Sequence, residues 1–129
     1  ARQAGGFVDG DMGATGYFTH SDCFKHEMGP GHPECPERLS AIEDRLLITR
    51  LDMALSRREA GQASVGDLEL AHGRMHVASL RGLTDVLREE QLAGGPSHTA
   101  LDPDTSINAH TWDAALRSAG AAIEAVDAV

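Results

Sequence analysis

The chain has 129 residues, of which 41% are hydrophobic, 24% charged and only 4% aromatic, with 11 basic against 20 acidic side chains and a formal net charge of −9. That length allows one domain with a real core, and the acidic excess argues against nucleic acid and anionic lipid as partners while suiting a basic peptide or a polyamine. No apolar run approaches the roughly 18–20 residues of a membrane span and no signal segment opens the chain, which points to a cytoplasmic protein with no membrane partner.

Residues 1–15, ARQAGGFVDGDMGAT, carry glycine and small residues without a period and read as a flexible lead-in. Gly16 to His20, GYFTH, suits a short buried strand. The segment HSDCFKHEMGPGHPECPERL, residues 20–39, then gathers three histidines, both cysteines, three prolines and two glycines. Pro36 is placed to open a helix, with Leu39, Ile42 and Leu46 at helical spacing. LDMALSRREA reads as a turn into an exposed strand. SVGD, Ser64 to Asp67, resembles a capping box: the hydroxyl accepts from an orphan N–H while the acid faces the positive helix end. Leu68, Leu70 and Ala71 follow it.

Met75 to Gln91 sets Val77, Leu80, Leu83, Val86 and Leu87 on one side of an amphipathic helix. Residues 92–110, LAGGPSHTALDPDTSINAH, read as a polar loop of nineteen residues, a length typical of functional or disordered segments. Thr111 is expected to cap a last helix with Trp112, Leu116, Ala119, Ile123 and Val126 on its apolar face. That pattern runs to Val129 without a closing cap. Two strands are too few to cover four helices, so further strands are expected after Val129.

Four groups of residues have chemistry to offer. Cys23, His26, His32 and Cys35 form C-x2-H-x5-H-x2-C, and tetrahedral zinc accepts two cysteines and two histidines. The x5 gap is shorter than usual zinc-finger spacings, and a loop pinned by hydrogen-bonding histidines is the preferred reading. The cysteines suit reduced thiols better than a disulfide framework. Arg38, on the first turn of a helix, sits where the dipole disfavours a cation; it meets either an anion or buried carbonyls, or pairs with Glu34 or Glu37. Asp102 and Asp104 flank Pro103 and offer either a carboxylate for an extended ligand's N–H groups or an Asx turn. His72 and His76 are four apart, but HGRMH holds a glycine and no general base, so His72 reads as a structural, hydrogen-bonding histidine. A phosphate-cradling glycine loop, a Gly-x-Ser-x-Gly elbow and an activated thiolate setting are all missing.

Taken together, GYFTH, HEMGPGHPECPERLSAIEDRL, LELAH and LDPDTSINAHTWDAALRSAGAAIEAVDAV resemble the N-terminal third of a bacterial protein of the histone deacetylase family, zinc-dependent amidohydrolases with an arginase-like fold. The likeness covers residues 16–129, and H-x-M-G-P-G-H-P-E-C-P-E-R-L is its most specific piece. It implies an α/β fold of three layers, a mainly parallel sheet flanked by helices, of which this mostly helical segment is the first portion. It also implies that residues 20–39 form a loop at the wall of a substrate tunnel. Arg38 and Tyr17 then match positions around an inner cavity where acetate binds or leaves, and Asp104, with Asp102 as the alternative register, matches a rim aspartate that holds the substrate backbone. The family's zinc ligands (a Gly-His-His motif, an Asp-x-His and a second Asp) and its carbonyl-polarising tyrosine are expected after Val129. The implied substrate is an acetylated lysine peptide or a small acetylated amine such as a polyamine. From another class, a small acidic binding module organised by a Cys2His2 metal knuckle would also account for the loop.

Overall fold

The computed structural model describes residues 15–129. The expected lead-in lies outside these residues except for Thr15, which already belongs to the first strand. The order of elements is β1 (Thr15–Thr19), α1 (Glu37–Ile48), β2 (Leu55–Glu59), α2 (Val65–Glu69), α3 (Arg74–Leu92), β3 (His98–Asp102), β4 (Thr105–Asn108) and α4 (Thr111–Asp127), with short 3-10 turns at Ser21–Lys25 and Leu51–Ala54. The result is a mixed α/β arrangement, mostly helical, with two separate two-stranded sheets.

β1 and β2 pair in parallel, Thr15 opposite Leu55 and Thr19 opposite Glu59. A parallel pair needs a crossover, and α1 supplies it. β1 is less buried than GYFTH suggested: Thr15 and Gly16 are exposed and Tyr17 to Thr19 half-buried, as befits a strand with a single hydrogen-bonded neighbour. β3 and β4 form an antiparallel hairpin, with Thr99 opposite Ile107 and an irregularity between Ala100 and Asp102. This hairpin corrects the expectation of a nineteen-residue loop. Its strands carry only one buried apolar side chain, Ile107, beside the buried polar Asn108, so the alternation that marks a half-buried strand is absent from the sequence.

The core lies between α3 and α4, where Val77, Trp112 and Leu116 cluster against Leu68 and Leu80. α3 also buries Leu87 and, completely, Thr84, whose Oγ1 donates to the Leu80 carbonyl at 2.9 Å. Leu83 and Val86, placed on the same side by the sequence pattern, are exposed. In α1, Leu39 and Leu46 are half-buried and Ile42 and Ile48 exposed. α2 starts with the expected capping box, Ser64 and Asp67 each accepting the other's backbone N–H.

Thr111 does not cap α4. It is the first helical residue, and its Oγ1 accepts the Asn108 N–H at 2.8 Å, which ties the helix start to the end of β4. His72 also departs from expectation: its side chain is exposed and lies against His76, ring centroids 5.5 Å apart.

α4 packs on β1 and on the 21–25 turn. Leu116 O accepts from Ala63 N at 2.9 Å, and Arg117 reaches both Ala60 O at 2.9 Å and Asp22 Oδ2 at 3.2 Å. No helix among the described residues is long and apolar enough to cross a membrane.

Candidate functional site

The histidine-rich segment is built on backbone contacts. Gly29 and Gly31 both adopt positive φ, +102° and +79°, a conformation that side chains disfavour, and His32 N donates back to Gly29 O at 3.4 Å. Two histidines use the same device: His20 Nδ1 accepts the Asp22 N–H and His32 Nδ1 the Glu34 N–H, each at 3.0 Å. His26 Nδ1 lies 2.9 Å from Thr111 Oγ1, joining the loop to the head of α4. Burial pushes its pKa down, with the nearby Glu34 opposing. Asn108, almost fully buried, donates to Lys25 O at 2.8 Å and accepts from His110 N at 3.0 Å. The preferred reading of a histidine-pinned loop matches this geometry.

The loop meets the β3–β4 hairpin through two histidine–carboxylate contacts that run in opposite directions. His98 on the hairpin places Nε2 3.2 Å from Glu27 Oε1 on the loop, while His32 on the loop places Nε2 3.6 Å from Asp104 Oδ1 on the hairpin turn. Ser97 Oγ lies 2.7 Å from His98 Nδ1. A polar recess of about 290 Å³ adjoins this wall, lined by Lys25, Glu27, Gln91, Ser97, Asn108 and His110.

The two aspartates separate in role. Asp102 Oδ1 accepts the Asp104 N–H at 2.8 Å, the Asx turn, and this bond pulls its pKa below the usual carboxylate range. The Asp104 side chain is 98% exposed, free to meet a ligand. Arg38 pairs with Glu34 and is more than half exposed. It reaches Asp104 only by way of Glu34 and His32.

Tyr17 stands in another group. Its hydroxyl donates to Glu43 Oε1 at 2.9 Å, Arg57 lies 4.9 Å from its ring centroid, and Arg57 Nη1 donates to Glu43 Oε2 at 2.9 Å. Burial first, then Glu43, raises the Tyr17 pKa, so its hydroxyl stays a donor. β1, α1 and β2 are thereby joined by one triad.

Cys23, His26, His32 and Cys35 are not drawn into one centre. Cys23 Sγ faces Ala114 O at 3.9 Å, and its thiol pKa is pushed up by burial and then by Asp22; both cysteines are free thiols. Among the described residues no group of three or more His, Cys, Asp or Glu side chains is arranged to hold a metal ion. Glu27, Ser97, His98, Asn108 and Thr111 carried no chemical weight in the sequence. The repeated His-x-acid spacing at His20–Asp22 and His32–Glu34 was the signal that could have exposed the pinning bonds.

Against known proteins, the model of the histone deacetylase domain matches residues 32–129. The chain is 33% identical over 117 residues to a probable deacetylase of Archaeoglobus fulgidus and 30% identical over 132 residues to a histone deacetylase-like amidohydrolase of Pseudomonas aeruginosa, each alignment covering 89% of this chain. The chain spans 30% and 32% of the lengths of those two proteins.

Proposed function

The chain belongs to the histone deacetylase family, and from that membership we propose that it is the N-terminal segment of a zinc-dependent deacetylase that hydrolyses N-acetyl amides of the acetyl-lysine type to amine and acetate. The family match over residues 32–129 carries this reading. The parallel β1–β2 pair with its α1 crossover is consistent with the mainly parallel, arginase-like sheet proposed for the whole domain. The family resemblance assigns the zinc ligands, the general base and the carbonyl-polarising tyrosine to sequence following this segment, which on that reading is inactive alone; among the described residues no group of three or more His, Cys, Asp or Glu side chains is arranged to hold a metal ion.

Within the segment, the loop at 26–36 and the β3–β4 turn form part of the rim. Asp104 holds the substrate: an exposed carboxylate on a turn that Asp102 fixes can accept two backbone N–H groups of an extended peptide, charge-assisted bonds worth about 1.5–3 kcal/mol each. Arg38 and Tyr17 serve the inner cavity on the acetate side. Arg38 would offer a cation to the leaving carboxylate, while Tyr17, whose hydroxyl proton goes to Glu43, would line that cavity, both from the β1–α1 region. A small acetylated amine is the second candidate substrate, favoured by the net charge of −9, which attracts a polyamine.

The test is turnover by the purified full-length protein of an acetyl-lysine peptide and of an acetylated polyamine, with and without a zinc chelator. Chelator-sensitive release of acetate from the peptide is expected. Preference for the polyamine would move the assignment to the second substrate class, and turnover of neither would overturn the function.

A further inference from the structure

We propose that His32 is a positioning residue for Asp104, holding that carboxylate in the orientation that receives a peptide backbone. The inference rests on the reading of Asp104 as the substrate-holding group. It starts from the tautomer. His32 Nδ1 accepts the Glu34 N–H at 3.0 Å, so a neutral ring carries its proton on Nε2. That Nε2 is buried and has no hydrogen-bond partner among the described residues, and Asp104 Oδ1 lies 3.6 Å away. A buried donor without a partner is costly. The exposed Asp104 side chain needs only a small rotation to bring an oxygen within bonding range.

The surroundings hold the histidine still. The two positive-φ glycines and the Gly29–His32 backbone bond set the path of the loop. The Arg38–Glu34 pair anchors the loop's exit to the first turn of α1, and Glu27 at its entry lies 3.2 Å from His98 Nε2 on the hairpin without a hydrogen bond between them. On the other side, the Asp102–Asp104 turn fixes the backbone from which the Asp104 carboxylate projects. A carboxylate so exposed samples several rotamers, and a ligand must freeze one of them. A fixed donor on one oxygen removes part of that cost and leaves the other oxygen, with both its lone pairs, for the two substrate N–H groups.

The choice of variants separates the two nitrogens of the ring. In His32→Asn the side-chain oxygen replaces Nδ1 and preserves the Glu34 bond, while the group aimed at Asp104 is lost. In His32→Gln the amide nitrogen takes the place of Nε2 and restores that group. In the full-length protein, His32→Asn is expected to lower kcat/KM on an acetylated peptide, relative to that on a small acetylated amine, by about three- to fivefold, the scale of an exposed charged contact. The loss should fall on KM, His32→Gln should recover most of it, and on an Asp104→Ala background His32→Asn should cost nothing further. Equal losses in the Asn and Gln variants, or additive losses in the double variant, would overturn the role of His32 while leaving that of Asp104 standing. If Asp104→Ala alone leaves the peptide-to-amine ratio unchanged, the substrate-holding reading of Asp104 falls and the inference with it.

Discussion

The carbonyl oxygen of Gly61 stands where a Cβ on Gly120 would project, and the Gly61 carbonyl carbon would lie 2.8 Å from it. α4 can therefore lie against the 60–63 segment closely enough for Leu116 O to accept from Ala63 N. Gly120→Ala should destabilise the protein by up to about 2 kcal/mol, because backbone must move and the overpacking cost of about 1–3 kcal/mol outweighs the helix-propensity gain of about 1 kcal/mol. Gly82 in α3 is the control. A Cβ there meets nothing within 4 Å, so Gly82→Ala should stabilise by up to about 1 kcal/mol. Urea midpoints of the two variants should move in opposite directions; a stabilised Gly120→Ala would show that the seam is looser than described.

Asn108 is 6% exposed, and its amide nitrogen donates to Lys25 O at 2.8 Å. Asn108→Asp keeps the shape but sets an oxygen against that carbonyl. The expected loss at pH 7 is about 1–3 kcal/mol, shrinking on acidification as the carboxyl takes a proton and regains a donor. Equilibrium unfolding of the variant at neutral and mildly acid pH measures both parts, and a pH-independent difference would reject the charge argument.

Two groups make stability fall with acidification in separate windows. Burial lowers the His26 pKa, so its contribution is present above the ordinary value of about 6.5 and is lost as pH falls through the depressed value. The bond from Lys25, and after it that from Arg117, lowers the Asp22 pKa against the effect of burial. Its contribution is therefore present above about 3.9 and lost below it. Urea midpoints across pH should lose their slope in the upper window in His26→Gln and become shallower in the lower window in Asp22→Asn, where Asp102 and Glu37, also lowered, keep part of the slope. A slope unchanged in both variants would assign the pH dependence to other groups.

Asp104→Asn in the full-length protein should reduce the rate on acetylated peptides by about tenfold, the equivalent of about 1.4 kcal/mol. A small acetylated amine lacks the peptide backbone and should lose less. Asp102→Asn keeps an oxygen for the Asp104 N–H and should change the peptide rate far less. The reverse ranking would move the substrate-holding role to Asp102, and no loss in either would remove it from the hairpin turn.

Because Cys23, His26 and His32 are engaged with Ala114, Thr111 and Glu34 respectively, zinc should not bind stoichiometrically at the Cys23–Cys35 loop. Metal analysis of the 129-residue segment after dialysis checks this. One zinc per chain, lost in Cys35→Ser, would contradict it.

Helical periodicity made α1, α3 and α4 legible, since apolar residues three and four apart must share a face. The Ser64–Asp67 start was legible because both halves of a capping box lie within four residues. The β3–β4 hairpin was not: Asp102, Pro103 and Asp104 read as loop, and Ile107 alone gives no alternation. Thr84 escaped for a different reason. A threonine in an apolar stripe looks like an exception until its hydroxyl is seen bonded to its own helix. In the site, both fates of Asp102 and Asp104 had local signals, as had the Arg38–Glu34 pair. The meeting of His32 with Asp104 joins residues far apart in sequence, and no local pattern encodes it.

The docking of α4 on the 21–25 turn also sets an order of events during synthesis. Cys23 and Ala114 are 91 positions apart, and Asp22 and Arg117 are 95 apart. At roughly 5–20 residues per second, the turn emerges roughly 5–20 s before the helix that receives it. Throughout that interval β1 has β2 to pair with once the crossover is made, but the face that α4 will cover stays wet. The β1–α1–β2 unit therefore emerges with one side still uncovered, and the 21–25 turn gains its Ala114 and Arg117 contacts only when α4 arrives.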